Sequence, residues 1–556
     1  MSLTSASLPK LSPVETLKGG SQQLRGSIGA ELANSESAFT KPAVGLLKFH
    51  GIYQQDDRDI RKSSAQKSYT CMVRVSIPGG TILPSQYLAL DRLADRVGDG
   101  TLRITSRQGI QYHYVGKRDL HSLIAGINEA GLSTFAACGD VVRNIIAPAA
   151  PSDKIGHFEL ISAARMLNRE LKPRTAAYVE IWLDGEKAAS IEDEAEPLYG
   201  ETYLPRKFKI GLTLEGDNTT DIYSNDLGFV ARLSGDRITG FTILAGGGMG
   251  QSNGIKDSHP RLADEIGFIQ PEDLLAVAKA VVGIHRDFGN RSNRKLARLK
   301  YVLDQRGVEW FRAELESRLG KPLAPAAPLQ WERHSDHFGW HPYTDKLFFG
   351  LRVVSGRIAA NVRTAIREIV AELQPEVRFT SQQNVIFAGL TAEARPRLEQ
   401  ILRSHGVALP SELPPVLRLS MACPALPTCG LALTESERIL PDITSDVQAE
   451  LDRAGIGTES VHLRMTGCPN GCARPYTAEI GIVGQSVGLY SLYLGGSPLA
   501  TRLATLYAHN IKREQIPASL RPIIDEFVAF RNPGEAFGDY CARQGVDALR
   551  SRHLEV

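Results

Sequence analysis

The chain has 556 residues, 42% hydrophobic and 23% charged, with a formal net charge of +2. That length is a prior for three or four domains, and the near-neutral balance excludes any global case for nucleic acid or a membrane surface, so a basic site must be local. No apolar run of roughly 18 residues occurs, and Met1-Ser-Leu-Thr-Ser-Ala-Ser-Leu-Pro9 lacks the basic start and apolar core of a secretory signal. With seven cysteines this points to a reducing, cytoplasmic setting.

Residues 1 to about 45 are rich in Ser, Gly and Ala and are expected to be mobile or draped on a partner. Tyr69 to Pro78 is a predicted strand with Met72, Arg74 and Ser76 on one face and Val73, Val75 and Ile77 on the other. A helix over 84–97 follows, then a predicted strand from Leu102 to Tyr114. Its period of two puts Arg103, Thr105, Arg107, Gly109, Gln111 and His113 together, opposite Ile104, Ile110 and Tyr112. That face is either simply solvated or a cradle for a ligand with several carboxylates, and the pattern favours neither.

A repeat appears downstream. Leu102-Arg-Ile-Thr-Ser-Arg-Gln-Gly returns as Val377-Arg-Phe-Thr-Ser-Gln-Gln-Asn, and Val73-Arg-Val-Ser with its helix returns as Leu351-Arg-Val-Val and a helix near 360–373. The chain therefore reads as a tandem duplication of a strand–helix–strand unit plus a larger α/β module, with a ligand between the halves. Between the copies, Cys138-Gly-Asp-Val-Val-Arg143-Asn144 ends a strand or turn. In Tyr203-Leu-Pro-Arg-Lys207-Phe-Lys209-Ile, two lysines share a face against Phe208 and Ile210, a pattern more often solvated than functional. The glycines around 246–250 fail G-x-G-x-x-G, and no P-loop occurs, so no nucleotide site is read there and the glycines are taken as backbone passing close to a bound cofactor. A helix over 271–289 and another ending near Leu319 precede a proline-rich linker at 321–328.

Cys423-Pro-Ala-Leu-Pro-Thr-Cys429-Gly and Thr466-Gly-Cys468-Pro-Asn-Gly-Cys472 supply four thiolates from two tight loops. Prolines keep the loops from becoming helix, and glycines let amide donors approach the sulfurs. Such a set suits an iron–sulfur cubane. Structural zinc is the alternative, although C-x5-C misses its usual spacing; disulfides do not fit a reducing compartment, and four unrelated buried thiols remain a bland reading. Cys71, Cys138 and Cys541 are expected to be buried thiols. Strands over 478–483 and 490–494 and a closing helix with Leu520, Ile523, Ile524, Phe527 and Val528 as its apolar stripe complete the chain.

The segments 423–432 and 466–474 resemble the signature of the sirohaem/[4Fe-4S] sulfite and nitrite reductase family, closest to the haemoprotein subunit of assimilatory sulfite reductase, with similarity from about Leu17 onward. The resemblance implies an α/β (α+β) fold, tandemly duplicated, with three domains around a central sirohaem, the macrocycle that the glycines around 246–250 would approach. The expected divisions are an arm at 1–60, ferredoxin-like half-repeats at 61–135 and 330–408, an α/β module with basic substrate residues at 136–329, and the cysteine-bearing module at 409–556. It implies that Cys423, Cys429, Cys468 and Cys472 hold the cluster, Cys472 also bridging to the haem iron. Arg74, Arg143, Lys207 and Lys209 become the substrate pocket. Arg103, Arg107, Gln111, His113, Gln383, Asn384 and Asn470 become cofactor contacts. The implied reaction is six-electron reduction of sulfite to sulfide, with nitrite to ammonia as the alternative. No flavin or nicotinamide motif is present, so the expected reductant is a protein: an NADPH-dependent flavoprotein or a ferredoxin.

Overall fold

The computed structural model describes residues 10–63, 67–174, 180–183, 186–190, 196–334 and 337–554, so the first nine residues of the expected arm lie outside the described residues. Strand alternation behaves as the sequence predicts: Val73, Val75, Ile77, Leu102, Ile104, Ile110 and Tyr112 are all in the core. The stretch from Leu102 onward is not one strand, however. It folds into an antiparallel pair, Leu102–Ile104 and Ile110–Val115. Thr105 turns the chain, its Oγ1 accepting from the amides of Arg107 at 3.2 Å and Gly109 at 3.0 Å, with Gln108 at φ 58°. Period-two counting cannot see such a turn, because Arg103 and Gln111 are cross-strand partners and keep the face that continuous alternation would give them.

The two half-repeats exchange strands. Thr81–Ile82 of the first pairs with Glu376–Phe379 of the second, and Arg357–Ile358 of the second pairs with Leu102–Ile104 of the first. Each exchange needs a glycine at its entry. Gly80 (φ 73°) and Gly356 (φ 71°) have positive φ, and a Cβ on them would collide with Phe379 O and Ile104 O respectively. One hydrophobic core therefore runs through both five-stranded sheets. The helices Pro84–Arg96 and Ala360–Leu373 cover it at matching places.

Two α/β modules flank this core, and they share one topology. In the first, strand Ile210–Leu214 pairs parallel with Leu227–Ser234, which continues antiparallel through Arg237–Ala245 to Asp264–Ile269. In the second, Leu463–Thr466 pairs parallel with Ile480–Ser486, then antiparallel through Leu489–Leu494 to Thr505–Lys512. The closing apolar stripe lies on helix Gln515–Phe530, with Leu520, Ile523, Ile524 and Phe527 buried; Val528 is 41% exposed because it falls off the stripe, and two further helices follow.

The N-terminal segment lies on the chain itself rather than free. Three short helices, Pro13–Gly19, Ile28–Ala33 and Lys41–Leu47, pack between the first α/β module, whose core Leu24 and Leu46 enter, and the half-repeat core, which Ala43 and Leu47 enter. Lys18 Nζ reaches Glu15 Oε1 at 2.6 Å and Leu204 O at 2.7 Å, and Glu15 pairs with Arg291. Composition hides this because a few apolar anchors and buried ion pairs suffice to hold a polar segment. Among the described residues no helix is long and apolar enough to cross a membrane.

Candidate active site

The polar face of the first sheet carries a row of side chains across neighbouring strands: Arg74 opposite Gln111, Gln111 opposite Arg103, Arg103 opposite Arg357. Arg74 Nη1 donates to Cys138 Sγ at 2.8 Å, and the Gln111 amide, turned with its oxygen towards Arg74, accepts at 2.6 Å and 3.1 Å. At the other end, Arg103 and Arg357 grip the same partly buried Glu437, and Arg103 also donates to Ala422 O, one residue before Cys423. His113 is buried on this face with no partner for either ring nitrogen among the described residues. Burial, then Arg357, Arg103 and Arg74, depress its pKa well below the ordinary value, so the ring is neutral at pH 7.

Opposite lie the basic residues of the first module. Val142 and Phe208 form a parallel bridge, and Arg143 N donates to Phe208 O at 2.8 Å, so the two segments carrying Arg143 and the lysines are laced together. Lys207 and Lys209 precede strand Ile210–Leu214 in extended backbone, on either side of buried Phe208. Part of each lysine is accessible, yet enough protein encloses them that burial lowers both. Lys207 falls to about 7, by burial and then Arg206. Lys209 falls well below its ordinary value, by burial and then Lys207. Arg143 and Cys472 lie within the field of Lys207, and Arg107 and Cys472 within that of Lys209. Among the described residues neither ammonium forms an ion pair with a carboxylate, and no carboxylate is among the main influences on either. Two cations placed together without an acid cost folding free energy, which an anion between them would recover.

The four motif cysteines converge at the edge of this space. Burial first, and then the charge of Cys472, raise Cys423, Cys429 and Cys468, the last to about 11. As thiolates they would repel one another, so the set calls for a cation held between them. Gly467 N and Asn470 Nδ2 each donate to a cysteine sulfur, Cys423 and Cys468 respectively, at 3.4 Å. Cys472 is the exposed one of the four. Among the described residues no three His, Cys, Asp or Glu side chains meet tightly enough for a single ion. Cys71, Cys138 and Cys541 are buried, as expected.

Several other candidates have their polar atoms taken up by the protein. Arg107, on the turn, donates to Asn144 O, Ile210 O and Asn225 Oδ1 at 2.6–3.0 Å, stapling the first half-repeat to the first module. Asn384 accepts from Arg352 at 2.9 Å and from Val353 N at 3.0 Å. Gln383, by contrast, is buried at φ 69° with no partner for Oε1 among the described residues. The glycine-rich loop meets protein at each close approach: Gly247 lies on the carbonyls of Tyr223 and Asn225, Gly248 on the Arg298 guanidinium, and Met249 O lies 2.7 Å from where a Cβ on Gly471 (φ 61°) would sit. Protein neighbours thus account for these glycines without a macrocycle. Sequence reasoning missed Asp221, Arg464 and Arg474, which form a buried ion-pair cluster between the modules.

The description "Nitrite and sulphite reductase 4Fe-4S domain" matches residues 162–323, and "Nitrite/Sulfite reductase ferredoxin-like half domain" matches 64–130 and 341–405. A sulfite reductase [NADPH] hemoprotein beta-component of Myxococcus xanthus is 46% identical over 96% of this chain and 97% of its own. The chain belongs to the nitrite and sulfite reductase family. A sulfite reductase [ferredoxin] of Synechococcus elongatus is 43% identical over 97% of this chain and 90% of its own. The solved NirA protein of Mycobacterium tuberculosis has the same fold, with TM-score 0.79 at 22% identity over 97% of both chains. The 162–323 match holds none of the seven cysteines; the motif lies in the second, topologically equivalent module. The residues fit the family's [4Fe-4S] cluster and sirohaem. Four cysteines that would repel one another as thiolates, with amide donors beside them, suit the cluster, and His113, unpartnered among the described residues, with three neighbouring arginines suits an anionic macrocycle.

Proposed function

We propose that this chain is the haemoprotein of an assimilatory sulfite reductase, reducing sulfite to sulfide with electrons from a partner protein. The observation that carries the reading is the lysine pair, which forms no ion pair with a described carboxylate and lies in the field of Cys472, with Arg143 also acting on Lys207. Cys423, Cys429, Cys468 and Cys472 would hold a [4Fe-4S] cluster, and the Arg74–His113 face a sirohaem, which together supply the redox chemistry. The rest falls to the chain. Arg74, Arg143, Lys207 and Lys209 bind and orient the anion by charge-assisted hydrogen bonds. Each sulfur–oxygen bond that breaks needs protons at the departing oxygen. Lys207, with its pKa brought to about 7, can both give and regain one at neutral pH.

The relatives' names include both NADPH and ferredoxin donors. We favour an NADPH-dependent flavoprotein, because the arm and the 53–59 segment resemble that form; a ferredoxin is the other candidate. The test is a visible spectrum with iron and acid-labile sulfide analysis, then sulfite and nitrite reduction with an artificial donor. A haem spectrum, stoichiometric sulfide and a higher kcat/KM for sulfite support the reading. A colourless zinc protein overturns it; preference for nitrite moves the chain to the other branch of the family.

A further inference from the structure

We propose that Arg474, locked by Asp221, is the positioning residue that sets where Cys472 sits between the two halves of the molecule. Arg474 lies two residues after Cys472, and Asp221 stands at the matching place of the first module. Both have left-handed backbone, φ 55° and 47°, and both open a short 3-10 turn, Pro475–Thr477 and Ile222–Ser224. Non-glycine residues hold that conformation only where surroundings enforce it. Here the two equivalent residues pair with each other, Arg474 Nε against Asp221 Oδ2, both almost fully buried.

The guanidinium's other nitrogens reach the two half-repeats symmetrically. Nη1 donates to Ser106 O at 3.3 Å and Nη2 to Ser381 O at 2.9 Å, and these serines match in the tandem repeat (Thr105-Ser106 and Thr380-Ser381). The serine hydroxyls answer in kind: Ser106 Oγ donates to Cys472 O at 3.2 Å, and Ser381 Oγ donates to Thr219 O, Thr219 being the first module's counterpart of Cys472. Arg464 Nη2 (3.1 Å), His334 Nε2 (2.7 Å) and Gln382 Nε2 (3.3 Å) also surround the Asp221 carboxylate. Burial alone would raise the Asp221 carboxyl, but Arg464, Arg474 and His334 hold it well below the usual range, so the pair stays ionised. A planar fork fixed at three corners leaves the cysteine loop little freedom to slide relative to either turn.

The inference rests on the reading that Cys472 is a cluster ligand. It is tested in the full-length enzyme with Arg474→Lys, which keeps the charge and loses the fork, and Asp221→Asn. The control is Arg363→Lys, which weakens a remote buried pair with Asp91 at 2.7 Å. Iron and sulfide content of the wild type are measured first; their absence defeats the cluster reading itself, whatever Arg474 does. Given a loaded wild type, Arg474→Lys should retain iron and sulfide but shift the cluster's one-electron equilibrium about tenfold (59 mV) and alter its electron paramagnetic resonance signal. Asp221→Asn should do the same to a lesser degree. Arg363→Lys should lower Tm without moving either. If Arg474→Lys leaves potential and signal unmoved, or Arg363→Lys moves them as far, Arg474 is a structural residue only. Should Arg474→Lys fail to fold, Asp221→Asn decides by the same two readouts.

Discussion

The two α/β modules are one scaffold with two chemistries. Lys209 N donates to Asp226 Oδ2 at 2.8 Å, and His462 N donates to Glu479 Oε2 at 2.8 Å. Leu227 N bonds Lys209 O at 3.1 Å, and Ile480 N bonds His462 O at 3.1 Å. These paired bonds fix the same strand entry in each copy. What differs is what the scaffold presents: Thr219 in one stands where Cys472 stands in the other, Asp221 where Arg474 stands, and Lys209 where His462 stands, a histidine whose Nδ1 lies 3.2 Å from Glu479. Acidic residues that hold backbone are kept in both copies, whereas residues facing the shared space have diverged. One module supplies cations and the other sulfur, and the site exists only where they meet.

The largest break in that comparison is Cys468→Ser, expected to abolish bound iron and labile sulfide. Thr219→Ser, at the counterpart of Cys472, should leave both intact, as should Cys541→Ser. Full iron and sulfide in the Cys468 variant would refute the ligand set. Next comes Asp221→Ala, which strands Arg464 and Arg474 in the interior. Losing one partner of such a buried group costs about 3–5 kcal/mol, read as a large fall in Tm; a loss under about 1 kcal/mol would show that the cluster relaxes or takes up water.

Lysine substitutions sharpen the comparison from the other module. Lys209→Met keeps most of the stem and removes the charge. One charge-assisted contact is worth about 1.5–3 kcal/mol, or roughly ten- to a hundredfold in rate. Sulfite reduction with an artificial donor should fall by that order while the haem spectrum persists. Wild-type rates in both Lys207→Met and Lys209→Met would make these lysines bystanders.

Local signals carried much of this. Proline and glycine in the cysteine loops, alternation at Val73, Val75 and Ile77, and the half-repeat written in Arg103 and Arg378 were legible, because each depends on neighbours in sequence. The duplication of the α/β module follows from the half-repeats and is also written in the modules themselves, where Tyr223-Ser-Asn-Asp-Leu-Gly-Phe-Val230 parallels Tyr476-Thr-Ala-Glu-Ile-Gly-Ile-Val483. Arg107, read from alternation as one member of a strand face, sits on a turn, and its N–H groups reach backbone carbonyls of a neighbouring domain, contacts that no local pattern announces. Asp221 and Arg474 were invisible for the same reason, since their pairing is wholly tertiary.

The smallest effect concerns Lys207 and pH, and it has two opposite signatures. Its pKa is about 7 in the folded protein against the ordinary 10.5. Below pH 7 the ammonium is present and attracts the anion; as pH rises through 7 it is lost from the free enzyme, so KM for sulfite should climb. A bound anion favours the charged lysine, so the corresponding limb in kcat should lie at higher pH. Stability runs the other way. Between pH 7 and 10.5 the unfolded chain binds the proton that the folded chain has released, so this lysine's contribution makes the protein more stable as pH rises across that window. Below pH 7 both states are protonated and the burial cost is fully felt. Lys207→Met should therefore raise Tm most below pH 7 while flattening the pH dependence of KM. A variant that keeps the wild-type KM profile, or gains no stability at low pH, would show that Lys207 is not held in the pocket as a displaced charge.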